Sequence, residues 1–467
     1  MTTLGIEDYT ALRRQSAGTV LTPADHGYDA ARTVWNGGVD RYPALIAQAG
    51  GPADVATALE FARQHGLAVS VKGGGHNMRG DAVCDDGLVI DLSALRAITV
   101  NATARTIHCG GGCTWAEVDA AGQQVGLAVP GGTVSDTGVG GLTLGGGVGW
   151  LTARHGLTVD NLLSAEVVTA DGVARHASAD EHPDLFWALR GGGGNFGVVT
   201  RFEFRAHPVG PIVQLGLFFW PIEQGTGALR FIRDTVVALP PGMGAMIAGL
   251  NAPPAPFVPP EVQQTPGYAL VVAGFDGPEQ HAGVVAEVRS GPPAAFELVS
   301  PIPYVELQKL IDPGSPRGML SYEKALYVDT LSDEVLDVIA EYQPQKSAPL
   351  SITPIFPLRD TYTTVPDDAT AFGGTRAPKF AVNVATMAPD PELYATDRAW
   401  VRRFWTALAP HASSTGGYVN FMADYDEDRV RAAYGATKFD RLSRIKAGYD
   451  PDNVFRPGAN IRPAVDA

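Results

Sequence analysis

The chain has 467 residues, 45% hydrophobic and 18% charged, with a formal net charge of −15. That suits a globular protein of two or three domains. No basic run of the kind that tracks phosphate backbones is present, so nucleic acid is not an expected partner. The opening stretch MTTLGIEDYTALRRQSAG lacks the apolar core of a secretory leader, and no apolar run reaches membrane-spanning length. The expectation is a cytoplasmic protein with no membrane contact.

In chain order, Pro52-Ala53-Asp54 reads as the start of an amphipathic helix over 55–62. Residues 67–72 read as a strand that feeds directly into Gly73-Gly74-Gly75-His76, and 87–92 as another strand. Cys84, Cys109 and Cys113 are too few, and odd in number, for a disulfide framework. With His108 they make no paired metal-ligand spacing, so they read as buried thiols and no metal is expected. Residues 114–128 read as a helix, and 165–170 as a strand entering a tight turn at Asp171-Gly172. After Pro208 the character changes. Residues 211–385 carry β-rich runs at 213–220, 268–275 and 380–385 with dense proline between them, and 392–408 reads as a closing helix. The tail from about 416 is too small to fold alone, so it should pack back onto the first part. The expected division is 1–207, 208–415 and 416–467.

Three glycine-rich segments precede residue 200: VKGGGHN at 71–77, PGGTVSDTGVGGLTLGGG at 130–147 and RGGGGNFGVV at 190–199. Successive glycines expose backbone N–H groups that can curl around a diphosphate. Gly192, Gly194 and Gly197 formally match the dinucleotide fingerprint GxGxxG. That motif needs a strand before it and a helix after it. Here a helix-like stretch, 184–189, precedes it and a strand, 198–204, follows, so a Rossmann site is rejected. No GK[ST] follows any glycine loop, which also excludes a Walker A site.

VKGGGH, GGTVSDTGVGGLTLGGG, GLTVDN, DLFWALRGGGGNFGVVT, GGYVNF and KAGYDPDNVF occur in this order. Together they resemble the berberine-bridge-enzyme-like branch of the FAD-linked oxidases, which share the vanillyl-alcohol-oxidase (PCMH-type) FAD fold. The fold implied is α+β: a two-part FAD-binding domain and a substrate domain with an antiparallel sheet covered by helices. The resemblance implies that Lys72, Gly73, Gly74, Gly75, His76 and Asn77 wrap the FAD diphosphate, with His76 bonded to the flavin 8α-methyl. It implies that Gly132, Thr133, Val134, Thr137, Gly138, Gly141, Leu142, Gly145 and Gly147 cover the pyrophosphate and flavin face. Asp160 and Asn161 would lie near the cofactor, and Gly194, Asn195, Gly197 and Val199 would close over the adenine. Asn420, Tyr449 and Asn453 would border the isoalloxazine ring, with Asn420 and Tyr449 counted in the catalytic set. Many relatives carry a second link, from a cysteine; that position is Val134 here. One covalent link is therefore expected, as in the branch that includes 6-hydroxynicotine oxidase-like enzymes and flavoenzymes of antibiotic biosynthesis.

The implied reaction moves hydride from a small, secondary-metabolite substrate to flavin and then to O2, giving peroxide. An oxygenase that keeps oxygen on the flavin is the alternative, and the sequence does not separate the two. Val134, Thr137 and Leu142 match the positions where oxygen meets the ring. Candidates for the base are Tyr322, Glu323, Tyr327, Asp424 and Tyr425. Some relatives carry a carboxylate on the strand matched by 351–355, where this chain has none. A monomer or a homodimer fits equally.

Overall fold

The computed structural model describes residues 6–413, 417–424 and 427–465. Three sheets organise the chain. The first has four strands in the order Thr19–Leu21, Leu45–Gln48, Leu88–Asp91, Val69–Lys72. Leu88–Asp91 runs parallel to both its neighbours. All four of its residues are buried, as an apolar central strand of a parallel array requires. The helix Pro52–His65 covers this sheet. It starts on Pro52 and ends where Gly66 takes a positive φ of 63°.

The second sheet has five antiparallel strands: Ile98–Asn101, Thr106–Gly110, Val198–Arg205, Leu162–Val168 and Ala174–Ser178. The strand before Asp171-Gly172 and the one after it pair as a hairpin, as their sequence suggests. The helix expected over 114–128 is shorter, Trp115–Gln123. Thr114 and Glu117 form its capping box, but Gly126 sits at φ 69° and ends any helical continuation. Leu127–Ala128 instead pairs with His207–Pro208.

The third sheet has seven antiparallel strands, in the order Phe296–Pro303, Ile212–Pro221, Pro266–Gly274, Gly244–Asn251, Thr353–Leu358, Lys379–Ala388, Leu320–Val328. Alternate residues divide between its faces. Phe218, Trp220, Leu270, Val272, Val382 and Val384 meet the helices Gly225–Ala238, Pro278–Ser290, Asp333–Tyr342 and Pro391–Leu408. Val213, Leu215, Met246, Ala248, Val271 and Ala273 meet Trp150, Leu151, Leu157 and Tyr418 instead. This second face is the one turned toward the rest of the molecule. The closing helix is capped by Asp390, whose carboxylate accepts from the N–H groups of Glu392 and Leu393, and it buries Trp400, Val401, Phe404 and Leu408.

The tail returns to the first part of the chain. Val430, Tyr434, Leu442 and Ile461 share one core with Trp115, Leu185, Trp187 and Phe202. Lys446, fully buried, donates to the carbonyls of Asn195 and Phe455 and to Asp450, which fixes the tail to the third glycine loop. Asn195 completes the joint: its Nδ2 donates to Ala459 O and its Oδ1 accepts from Ile461 N. No helix among the described residues is long and apolar enough to cross a membrane.

Candidate active site

The three glycine loops, the tail and the inner face of the seven-stranded sheet enclose one cavity of about 410 Å³. Gly73, Gly74, Gly75, His76 and Asn77 line it from the loop after Val69–Lys72. The second loop contributes Gly132, Thr133, Val134, Thr137, Gly138, Gly141, Leu142 and Gly145, and the third contributes Gly194, Asn195, Gly197 and the following Val199. Two of these loops touch backbone to backbone. A Cβ on Gly74 would sit 2.4 Å from Gly138 N, and one on Gly138 would sit 2.3 Å from Gly74 N. Only glycine at both positions permits the approach.

His76 is held on several sides. Its ring stacks on Trp35, with centroids 5.4 Å apart and planes 29° apart. Its Nε2 lies 3.0 Å from Asp136 Oδ1, yet buried and without the alignment of a full hydrogen bond. Arg317 donates from Nε to Asp136 Oδ2 at 2.8 Å and from Nη2 to Gly74 O at 3.2 Å. Burial works to raise the Asp136 carboxyl, but His76 and Arg317 together hold it below its ordinary value.

Across the cavity stands Glu323, 2% exposed, from the strand Leu320–Val328. Asn383 Nδ2 donates to its Oε2 at 2.7 Å. Burial pushes this carboxyl up to about 7, and the Asn383 hydrogen bond opposes the rise. Met246, Ile352, Pro354, Phe356 and Met387 make the surrounding wall apolar. From the tail, Asn420 lines the cavity and donates to Leu142 O and to the Tyr418 hydroxyl, which also accepts from Gly147 N. Val134, Thr137 and Leu142 all face the cavity.

Several sequence-selected residues lie elsewhere. Strand alternation sends Tyr322 to the helix side, where its hydroxyl donates to Asp424 and its ring lies under Arg398 and Arg402. Asp424 thus sits with Tyr322 and Lys324, away from the cavity lining. Tyr327 shares the face of Glu323 but is packed in the core beyond the cavity, with Lys379 4.9 Å from its ring centroid and burial raising its hydroxyl well above the ordinary value. Tyr425 lies outside the described residues. Tyr449 is half-buried, with its hydroxyl 3.4 Å from His182 Nδ1 and Arg175 over its ring. Asn453, at φ 51°, follows it in a turn that does not reach the cavity. Neither Tyr449 nor Asn453 is among the residues that line the cavity; the helix Ala436–Tyr449 turns this end of the motif toward His182.

Four of the expected cofactor residues support the lining from behind it. Lys72 donates to Ala31 O. Gly147 packs on Thr158, whose Oγ1 would lie 2.0 Å from a Cβ there. Asp160 forms a buried two-pronged ion pair with Arg376 at 2.9 and 2.7 Å. Asn161 donates to the carbonyls of His155 and Leu157 and lies 2.6 Å from His207 Nε2. Trp35, Asp136, Arg317, Asn383 and Tyr418 also belong to the site, although the sequence alone does not single them out as site residues. Asn383 and Tyr418 lie within segments already singled out, so strand period for one and closeness to Asn420 for the other were the available signals.

The lining fits a flavin dinucleotide. A Cβ on Gly141 or Gly194 would meet no protein atom within 4 Å, so both backbones face open space. Asn383 Oδ1 is a buried polar atom without a hydrogen-bond partner among the described residues. A long group with polar edges and an apolar ring system matches such a lining.

Residues 43–178 match the FAD binding domain family, and residues 417–462 match the berberine and berberine-like family. The FAD-linked oxidoreductase pgmH of Aspergillus terreus is 32% identical, over 98% of this chain and 96% of its own. The chain belongs to the berberine-bridge-like FAD-linked oxidoreductases. This berberine-bridge-like enzyme is also similar to (R)-6-hydroxynicotine oxidase of Paenarthrobacter nicotinovorans, 28% identical over 96% of this chain and 97% of the relative. In three dimensions it resembles 6-hydroxy-D-nicotine oxidase from Arthrobacter nicotinovorans, with a TM-score of 0.85, 26% identity and coverage of 96% and 98%. The family assignment accounts for the shared cavity: the matched FAD binding segment carries its first two glycine loops, and the berberine-like segment carries Asn420.

Proposed function

We propose that this enzyme is an oxidase that takes hydride from a small, largely apolar substrate of secondary metabolism and passes the electrons to O2, with FAD joined to His76 by a single covalent link. The observation that carries the reading is the cavity itself. It brings His76 and the glycine loops to one side and a buried carboxyl, Glu323, to the other. When bound, FAD supplies the hydride acceptor. Lys72 and the loop glycines shape its berth, and His76 tethers it. The apolar residues Met246, Ile352 and Phe356 exclude water and orient the substrate by shape. Glu323 takes the substrate's O–H or N–H proton, since its carboxyl is poised near neutrality. Asn383 fixes the carboxyl and favours its charged form. Val134, Thr137 and Leu142 leave room for a diatomic gas beside the ring. No cysteine lines the cavity among the described residues, which supports one link rather than two.

The test is anaerobic mixing of the purified enzyme with a panel of small apolar alcohols, phenols and amines, followed by admission of air. The reading requires substrate-dependent bleaching of the flavin, recovery in air, and one peroxide per substrate consumed. NAD(P)H should not bleach it. Bleaching by NAD(P)H would overturn the reading, and peroxide well below one per turnover would replace it with an oxygenase.

A further inference from the structure

We propose that Asp136, braced by Arg317, is the positioning residue for flavin attachment: it holds the Nε2–H edge of His76, leaves Nδ1 as the nucleophile, and receives the imidazole proton. The inference deepens the covalent-flavin reading above and rests on it.

Three observations place the pair. The ring nitrogen turned toward Asp136 is Nε2, at 3.0 Å from Oδ1. A neutral imidazole has one N–H and one lone pair, and a carboxylate facing Nε2 selects the tautomer with the proton there. The lone pair is then on Nδ1. Second, Trp35 stacks on the ring, which limits its rotation. Third, Asp136 cannot swing away freely, because its other oxygen accepts from Arg317 Nε at 2.8 Å. Arg317 in turn donates to Gly74 O, two residues before His76, so one guanidinium ties the carboxylate to the loop that carries the histidine. The arrangement resembles the orienting acid of a nucleophile–base pair, with the histidine as nucleophile.

An Nδ1–C bond forms to the flavin 8α-carbon. That carbon loses one proton, and the imidazole loses its Nε2 proton to Asp136. The two electrons released reduce the flavin ring, which takes up two protons. O2 then reoxidises it and leaves as hydrogen peroxide. Arg317 lies between the seven-stranded sheet's edge strand Leu320–Val328 and the Asp312 turn that also holds Ser135. Attachment would therefore depend on a contact from the second part of the chain.

The experiment compares wild type, Asp136→Asn, Asp136→Glu, Arg317→Met and His76→Ala. Each full-length protein is incubated with FAD in air, sampled over time and acid-precipitated, and flavin is measured in pellet and supernatant. Total bound flavin before precipitation is measured in parallel. The proposal expects Asp136→Asn to bind FAD like His76→Ala but to transfer it to the pellet on the order of 10²-fold more slowly than wild type. Arg317→Met should be slowed less, and Asp136→Glu should recover part of the rate. Wild-type attachment rate in Asp136→Asn overturns the proposal. So does loss of non-covalent FAD binding in both Asp136 variants, which would make the residue structural. Flavin absent from the wild-type pellet would instead overturn the covalent reading on which the proposal rests.

Discussion

Asn383 Nδ2 donates to Glu323 Oε2 at 2.7 Å along a diagonal of the antiparallel pair in which Glu323 stands opposite Ala385 and Asn383 opposite Ala325. Both side chains line the cavity, and the carboxyl is raised to about 7 by burial. A carboxyl acts as a base only when ionised. Activity should therefore rise with pH through about 7 and level off above it. Glu323→Gln should lower kcat/KM by about 10²- to 10⁴-fold with little change in bound flavin. Asn383→Ala removes a hydrogen bond that favours the charged form, so it should move the pH limb upward. Steady-state profiles of the three proteins check this, and an unshifted limb in Asn383→Ala would remove Glu323 from the role.

Gly74 and Gly141 both line the cavity but for opposite reasons. A Cβ at 74 meets Gly138 backbone at 2.4 Å, whereas one at 141 meets nothing within 4 Å. Gly74→Ala should destabilise the fold by about 1–3 kcal/mol, as overpacking does. Gly141→Ala lies in the helix Val139–Gly145 and should leave the flavin-free protein as stable as wild type or slightly more so, yet weaken flavin binding. Thermal unfolding with and without FAD separates the two; equal losses at both positions would contradict the assignment of Gly141 to the cofactor's space.

The small and aliphatic residues Thr137 and Leu142 face the cavity. Thr137→Tyr or Leu142→Phe should slow reoxidation of the photoreduced enzyme more than substrate-driven reduction. Stopped-flow traces of the two half-reactions measure this. Unchanged reoxidation would mean that oxygen arrives by another route.

Asp119 is a buried acid away from the cavity lining. Gln308 Nε2 donates to its Oδ2 at 2.9 Å, Oδ1 has no hydrogen-bond partner among the described residues, and burial raises the carboxyl to about 7. In the unfolded chain it ionises near 3.8. Between those values the folded state holds a proton the unfolded state has released, so stability falls as pH rises and is flat above about 7. The loss is on the order of 4 kcal/mol. Asp119→Asn should remove it, leaving the variant more stable than wild type at pH about 8 and closest to it near pH about 4. Parallel pH slopes in thermal unfolding would contradict this.

Local signals carried much of the fold into the sequence. Pro52-Ala53-Asp54 before an apolar stripe marked the helix Pro52–His65, and the Asp171-Gly172 turn marked the hairpin of Leu162–Val168 and Ala174–Ser178. The overrun at 124–128 shows the limit: apolar spacing continued, but Gly126 at positive φ and pairing with His207–Pro208 decided the outcome. Among site residues, the glycine loops were legible because cavity-facing backbone needs glycine. Glu323 was legible only as one of several candidates, because the sequence does not fix which face of Leu320–Val328 is inward. Once the register is known, Tyr322 and Glu323 part to opposite faces. Asp136 and Arg317 were not legible, since they meet across 181 residues of chain. Tyr449 shared a motif with cavity residues, but a helix end rather than a sequence neighbourhood determines where its ring points.

The oxidase proposed above carries one flavin, bonded to His76 and to no other residue. Acid-precipitated enzyme should be digested and its flavin-bearing peptides identified by mass. The expected result is a yellow precipitate and a single flavin peptide containing His76, with Val134 unmodified and His76→Ala releasing all its FAD to the supernatant. Wild-type flavin in the supernatant, or flavin on a peptide containing Cys84, Cys109 or Cys113, would contradict it.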